Sequence, residues 1–166
     1  QKGFYMDGYL VSNLLGLPNY LKDKWDCVGI ISGHGKVRIG KSRLAFQVGS
    51  FVAWMLAGGR IEGLEQVQNG NKVKWVWKKI VNPTEQIRFN LKENIVFNAQ
   101  DLQTRAKQLY DKYGNNQIII YDEGREGLDA KRAMENLNKV MEDFFQECGV
   151  YGHVFLIVLP NFFKLH

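Results

Sequence analysis

Between two apolar stretches the chain reads Gly35-Lys36-Val37-Arg38-Ile39-Gly40-Lys41-Ser42, which fills every fixed position of the phosphate-binding pattern G-x-x-x-x-G-K-[ST]. Ordinary residue frequencies produce such a match by chance on the order of once in a hundred chains of this length. Its flanks narrow the choice further. Trp25-Asp26-Cys27-Val28-Gly29-Ile30-Ile31, short, partly β-branched and closed by Ser32-Gly33, predicts a buried strand leading in. Ser42 to Ala57 has no Pro, and its apolar residues Leu44, Val48, Phe51, Val52 and Met55 fall at helical spacing, which predicts a largely buried helix leading out. A surface Gly/Lys turn would account for neither flank. Glycines let such a loop wrap so that its N–H groups point at a phosphate, and a helix starting near Gly40 adds its positive end. Lys41 supplies a point charge to the β- and γ-phosphates, and Ser42 is left to ligate Mg²⁺. The phosphate-binding set is therefore Gly35, Lys36, Val37, Arg38, Ile39, Gly40, Lys41, Ser42 and Arg43.

The rest of the chain alternates strand and helix signals. Gly58-Gly59 stops the first long helix, and residues 60–86 are polar and less regular. Within them Lys72-Val73-Lys74-Trp75-Val76-Trp77-Lys78-Lys79 alternates charged and apolar residues, as a half-exposed strand does. Ile95-Val96-Phe97 predicts a short strand. Ala99 to Tyr113, with Leu102, Ala106, Leu109 and Tyr110 at spacings of three and four, predicts an amphipathic helix ended by Gly114-Asn115-Asn116. Gln117 to Glu123 is a continuous apolar run closed by two carboxylates, the pattern of a central strand covered on both faces. Asp129 caps an expected helix from Ala130 to Cys148 with an apolar stripe from Ala133 to Cys148, and His153 to Leu159 is a buried strand halted by Pro160. Alternation of this kind predicts an α/β fold with a mainly parallel central sheet between helix layers. One domain is expected, with residues 1–24 as an N-terminal extension and 25–165 as the core, and with the last strand or strands lying beyond this chain.

The run Ile118-Ile119-Ile120-Tyr121-Asp122-Glu123 has the form of a partner motif, in which the acid at a strand end holds Mg²⁺ through water. Asp122 takes that role. Glu123 follows beside the γ-phosphate as the general base that polarises the attacking water, so the adjacent pair favours hydrolysis over transfer to an acceptor. Asn161, after the last strand, is the candidate polar sensor of the γ-phosphate, although an Asn after Pro is also an ordinary turn residue. Lys41, Glu123 and Asn161 form the expected catalytic set. Arg38, Arg125 and Arg132 are further candidates for nucleotide contact, the first and last of them from a neighbouring subunit. Neither Asn-Lys pair continues into the base-reading Asn-Lys-x-Asp of GTPases, and a phosphoryl-transferring kinase is the second alternative to an ATPase.

With 22 Lys+Arg against 17 Asp+Glu the chain of 166 residues carries +5, and 45% hydrophobic residues suffice for a core. That excludes disorder and collagen-like repeats. Cys27 and Cys148 lie in apolar surroundings, as reduced core thiols of an intracellular protein do, and the three histidines have no ligand-spaced partners for zinc. No run of about 18 apolar residues is present to span a bilayer. The patch Lys72–Lys79, interleaved with Trp75 and Trp77, either touches nucleic-acid phosphates and bases or keeps an edge strand from pairing with other chains.

The order strand, phosphate loop, helix, strand ending in Asp122-Glu123, helix, strand ending in a polar residue resembles the additional-strand P-loop ATPases with a RecA-like core. Within them the chain resembles the FtsK/HerA group of DNA-pumping motors, including viral packaging and Zot-like assembly ATPases. Residues Tyr121 to Met134 and Val158 to Leu165 are similar to ATPases of this kind from viruses and mobile elements. The resemblance implies a Mg²⁺-dependent ATPase of the cytoplasm, the host's if the source is viral. It further implies a homo-oligomeric ring, hexameric by preference, that translocates or packages double-stranded DNA. An ATPase that drives virion or protein assembly, or export, without touching nucleic acid is the alternative it implies. Two departures stand out: such motors often carry Gln where this chain has Asn161, and the strand expected after Leu165 is lacking.

Overall fold

A computed structural model describes residues 6–33, 40–70, 72–122, 138–139, 142 and 151–159. Four strands, β1 (Cys27–Ser32), β4 (Ile95–Val96), β5 (Ile118–Asp122) and β6 (Val154–Leu159), form a sheet in the order β1-β6-β5-β4, and every neighbouring pair is parallel. Parallel neighbours need crossovers, and among the described residues helices cover the sheet on both sides. Side chains alternate accordingly. Ile118, Ile120, Val154, Leu156 and Val158 pack with helix α3 (Lys41–Leu56), through Ala45, Val48, Phe51, Val52 and Met55. Ile119, Tyr121, Phe155, Ile157 and Leu159 pack with helix α5 (Asp101–Tyr113), through Leu102, Ala106 and Leu109. The result is the expected α/β arrangement of three layers about a parallel sheet. All six residues of β6 are buried, as its uninterrupted apolar run predicts.

The residues before β1 belong to this core. Asp7 caps helix α1 (Gly8–Leu14), its carboxylate accepting the Tyr9 N–H at 2.9 Å, and Pro18 opens helix α2 (Leu17–Leu21). Val11, Leu14 and Leu21 are buried in the cluster that α3 forms against the sheet. Helix α4 (Leu91–Asn94) is tied to the central sheet by Asn94, whose buried Nδ2 donates to the Ile118 carbonyl at 2.8 Å.

A second, two-stranded sheet separates α3 from α4. Strand β2 (Arg60–Asn69) pairs antiparallel with β3 (Lys72–Val81) over its whole length, from Arg60 opposite Val81 to Asn69 opposite Lys72. The lysine- and tryptophan-bearing strand is therefore as expected, but its partner is a full strand where the sequence reads as irregular. β2 is rich in Glu and Gln and lacks apolar alternation, so its form comes from backbone pairing and not from burial.

Two expected burials are corrected. β1 is the edge of the four-stranded sheet, and Val28 and Ile30 are 39% and 51% exposed, because edge position is a matter of strand order that the apolar run cannot disclose. Leu44 points away from the core that the rest of α3 fills and is exposed. The helix expected over 130–148 lies outside the described residues, except that residues 138, 139 and 142 are helical and exposed.

Candidate functional site

The strands of the central sheet stop almost level. Ser32 at the end of β1 is paired with Leu159 of β6, and Asp122 at the end of β5 is paired with the adjoining Val158. With strands about 4.8 Å apart, Asp122 stands roughly 10 Å across the sheet from the exit of β1. The chain leaving β1 returns as α3, whose first residue is Lys41. Carboxyl ends of parallel strands joined to helix N-termini are where open α/β sheets bind ligands.

Gly40 is the hinge between loop and helix. Its φ of 87° lies in the left-handed region, where a Cβ is strained, and nothing stands within 4 Å of the position a Cβ would take. A glycine N-cap also has no side chain to accept the first-turn N–H groups, so the helix start offers donors and partial positive charge to an external anion. Lys41 is half-buried, while Ser42 and Arg43 are exposed on the same first turn. Asp122 is half-buried at the sheet edge. These four residues and Gly40 are thus placed by one edge of the fold. Gly35, Lys36, Val37, Arg38 and Ile39, together with Glu123, Asn161, Arg125 and Arg132, lie outside the described residues.

The donor set suits a nucleotide triphosphate with Mg²⁺. Among the described residues no three His, Cys, Asp or Glu side chains converge as a metal cage. Mg²⁺ needs none, since it keeps waters and takes one or two protein oxygens together with phosphate oxygens. A hydroxyl at Ser42 and a carboxylate at Asp122 match that demand.

The opposite end of the sheet carries a different chemistry. His153 is fully buried; its Nδ1 accepts the Gln117 N–H at 3.3 Å and its Nε2 stands 3.2 Å from the Ala106 carbonyl, which fixes the neutral tautomer with the proton on Nε2. Burial pushes its pKa down to about 4. Its backbone N–H donates to Asp26 Oδ1 at 2.6 Å, while Asp26 Oδ2 is buried without a hydrogen-bond partner among the described residues, and burial raises this carboxyl. Burial likewise pushes the free Cys27 thiol up, away from the reactive thiolate. A polar cavity lined by Leu56, Glu85, Arg88, Asn116 and Gln117 opens at this same amino end. None of these groups approaches Lys41 or Asp122 along the sheet, and their partners are structural. Sequence reading gave His153 no role, and the pairing of its ring with Gln117 and Ala106 has no signal in residue spacing.

No protein-family model matches the chain, and comparison with the curated proteins and with the solved structures gives no match. Among the described residues no helix is long and apolar enough to cross a membrane.

Proposed function

We propose that the chain binds Mg·ATP at the carboxyl edge of its sheet and hydrolyses it, as a RecA-like P-loop ATPase that moves DNA. The observation carrying this reading is the strand order. β6 stands between the strand that enters the G-x-x-x-x-G-K-S loop and the strand that ends in Asp122, so one added strand separates the phosphate-binding segment from the acid. That insertion supports the additional-strand class over P-loop proteins in which the two strands are neighbours.

In this reading the N–H groups at Gly40 and Lys41 and the Lys41 ammonium hold the β- and γ-phosphates, the positive end of α3 adding to both. Ser42 and Asp122 hold Mg²⁺, and Arg43 lies on the same turn as a further cationic contact. The Glu123 carboxylate accepts a proton from the attacking water, and Asn161, following the strand between the two motifs, is the polar sensor of the γ-phosphate. ATP when bound supplies an activated phosphoryl group, and the protein contributes position and charge. The basic character of the chain and its resemblance to DNA-pumping motors support DNA as the polymer.

Steady-state ATP hydrolysis tests this, measured at two salt concentrations with duplex DNA, single-stranded DNA, RNA or no polymer. The expected result is a basal rate raised by DNA, an increase that salt removes, and loss of turnover with retained ATP binding in Glu123→Gln. Turnover indifferent to every nucleic acid moves the reading to an ATPase for protein assembly; no turnover at all rejects hydrolysis.

A further inference from the structure

At the amino end of the sheet, away from every group the ATPase reading uses, lies a cavity of about 110 Å³. Its buried lining is aliphatic: Ala53 and Leu56 of α3, Ala57 just beyond, and Ile118 of β5. Its more exposed lining is polar, with Glu85, Arg88, Asn115 and Asn116 around the opening. A single water needs roughly 10–15 Å³ and a cavity of roughly 150 Å³ holds benzene, so this one takes about six non-hydrogen atoms.

Two opposite full charges line this space and are matched by nothing. The Glu85 N–H donates to the Ala57 carbonyl at 3.0 Å, which fixes its backbone and leaves the carboxylate free. Arg88 donates from Nη1 to the Tyr113 carbonyl at 3.3 Å and lies 5.4 Å over the Tyr113 ring, contacts that orient the guanidinium without neutralising it. Among the described residues neither charge has an ion-pair partner, and the two do not pair with each other. On nearby α5 the pattern is different: Lys112 meets Glu93 and Lys107 meets Asp111, each at 2.7 Å. Opposite charges held apart across a concave space with an apolar floor are bridged by a ligand that carries both.

The turn beside them is fixed before any ligand arrives. Gln117 is buried, its Nε2 donating to the Asn115 carbonyl at 2.8 Å, and the Asn116 N–H donates to the Gly152 carbonyl at 3.1 Å. The C-terminal end of α3, against which Glu85 is bonded, adds partial negative charge and favours a cation on that side. On the other side the remaining guanidinium N–H groups of Arg88 suit a carboxylate.

We propose that this cavity binds a small zwitterion, a molecule of amino-acid size whose ammonium pairs with Glu85 and whose carboxylate pairs with Arg88. The site goes beyond the ATPase reading and does not depend on it. Leu56 closes the helix that Lys41 opens, so the cavity and the proposed phosphate site stand roughly 22 Å apart along α3.

The test is titration of the full chain, without nucleotide, with L-alanine, acetate and methylammonium, followed by amide NMR. L-alanine is expected to shift the Ala53, Ala57, Gln117 and Ile118 signals saturably, with a Kd of the order of millimolar. Acetate and methylammonium, each meeting one charge only, should bind more weakly by about tenfold or more. Glu85→Gln and Arg88→Gln should each weaken L-alanine by about tenfold, while Asp23→Asn, at an exposed acid elsewhere, binds it like the unmodified protein. Circular dichroism establishes that the variants are folded. Should Arg88→Gln unfold through loss of its bond to Tyr113, Glu85→Gln still decides, because the Glu85 side chain holds nothing in the fold. The proposal is overturned if L-alanine moves none of these signals up to about 50 mM, if either single-charge compound binds as tightly as L-alanine, or if Glu85→Gln binds L-alanine unchanged.

Discussion

The central sheet and the β2–β3 hairpin are both built from strands, and they are held in opposite ways. In β6 each of six residues is buried and the strand is hydrogen-bonded on both edges, to β1 and β5. Among the described residues the hairpin's ten-residue strands pair only with each other, and Val67, Val73, Val76 and Ile80 along them are exposed. Backbone pairing is enough to make a strand, but burial is what makes it costly to disturb. The buried sheet can hold chemical groups level at one edge, and the exposed ribbon can meet a partner without rearranging the core.

Single substitutions sharpen that contrast. Phe155, fully buried at the centre of the sheet, should be the most sensitive position: Phe155→Ala is expected to cost about 3–5 kcal/mol in urea unfolding. A loss under about 1 kcal/mol would mean that the sheet is not packed as described.

Acid comes next. The folded-state pKa of His153 lies near 4, below its ordinary 6.5, so the unfolded chain takes up the proton first. This group's contribution is therefore complete above pH 6.5, falls as the pH drops from 6.5 to 4, and is flat below that, with a total of about 3 kcal/mol. Asp26, raised by burial, works in the opposite direction in the acid range and softens the fall there. Urea midpoints against pH, compared with His153→Gln, should show a slope in the unmodified chain that the variant lacks.

Gly49 is a close-approach site, where an added Cβ would lie 2.7 Å from the Phe89 ring. Gly49→Ala should cost about 1–3 kcal/mol in the same assay, and full stability would show that Phe89 moves aside freely. The smallest effect belongs to the ribbon: Val73→Ala, at a position 60% exposed, should change stability by less than about 0.5 kcal/mol. A large loss there would show the hairpin to be buried against something, and would break the contrast.

Legibility in the sequence follows the same division. β5 and β6 announce themselves because strands covered on both faces are continuous apolar runs, and α3 and α5 because their apolar residues recur at helical spacing. β2 does not, since Glu, Gln and Gly carry no burial pattern and its form depends on a partner strand. The short α1 and α2 escape notice for a related reason: seven and five residues give too few turns for periodicity. At the candidate site, Gly40, Lys41, Ser42 and Asp122 are legible one by one from motif chemistry. Their arrival at one edge is not, because the insertion of β6 between β1 and β5 pairs residues more than a hundred positions apart. The edge position of β1, and with it the exposure of Val28 and Ile30, is hidden by the same long-range order.

The proposed phosphate site lies at the start of α3, across the carboxyl ends of the strands from Asp122. Isothermal titration of the chain with ATP, with and without Mg²⁺, tests it most directly when set beside Lys41→Ala. The expected result is saturable one-to-one binding that Mg²⁺ strengthens and that Lys41→Ala weakens by about tenfold or more. An unmodified chain that binds no ATP, or a Lys41→Ala variant that binds it equally well, would contradict it.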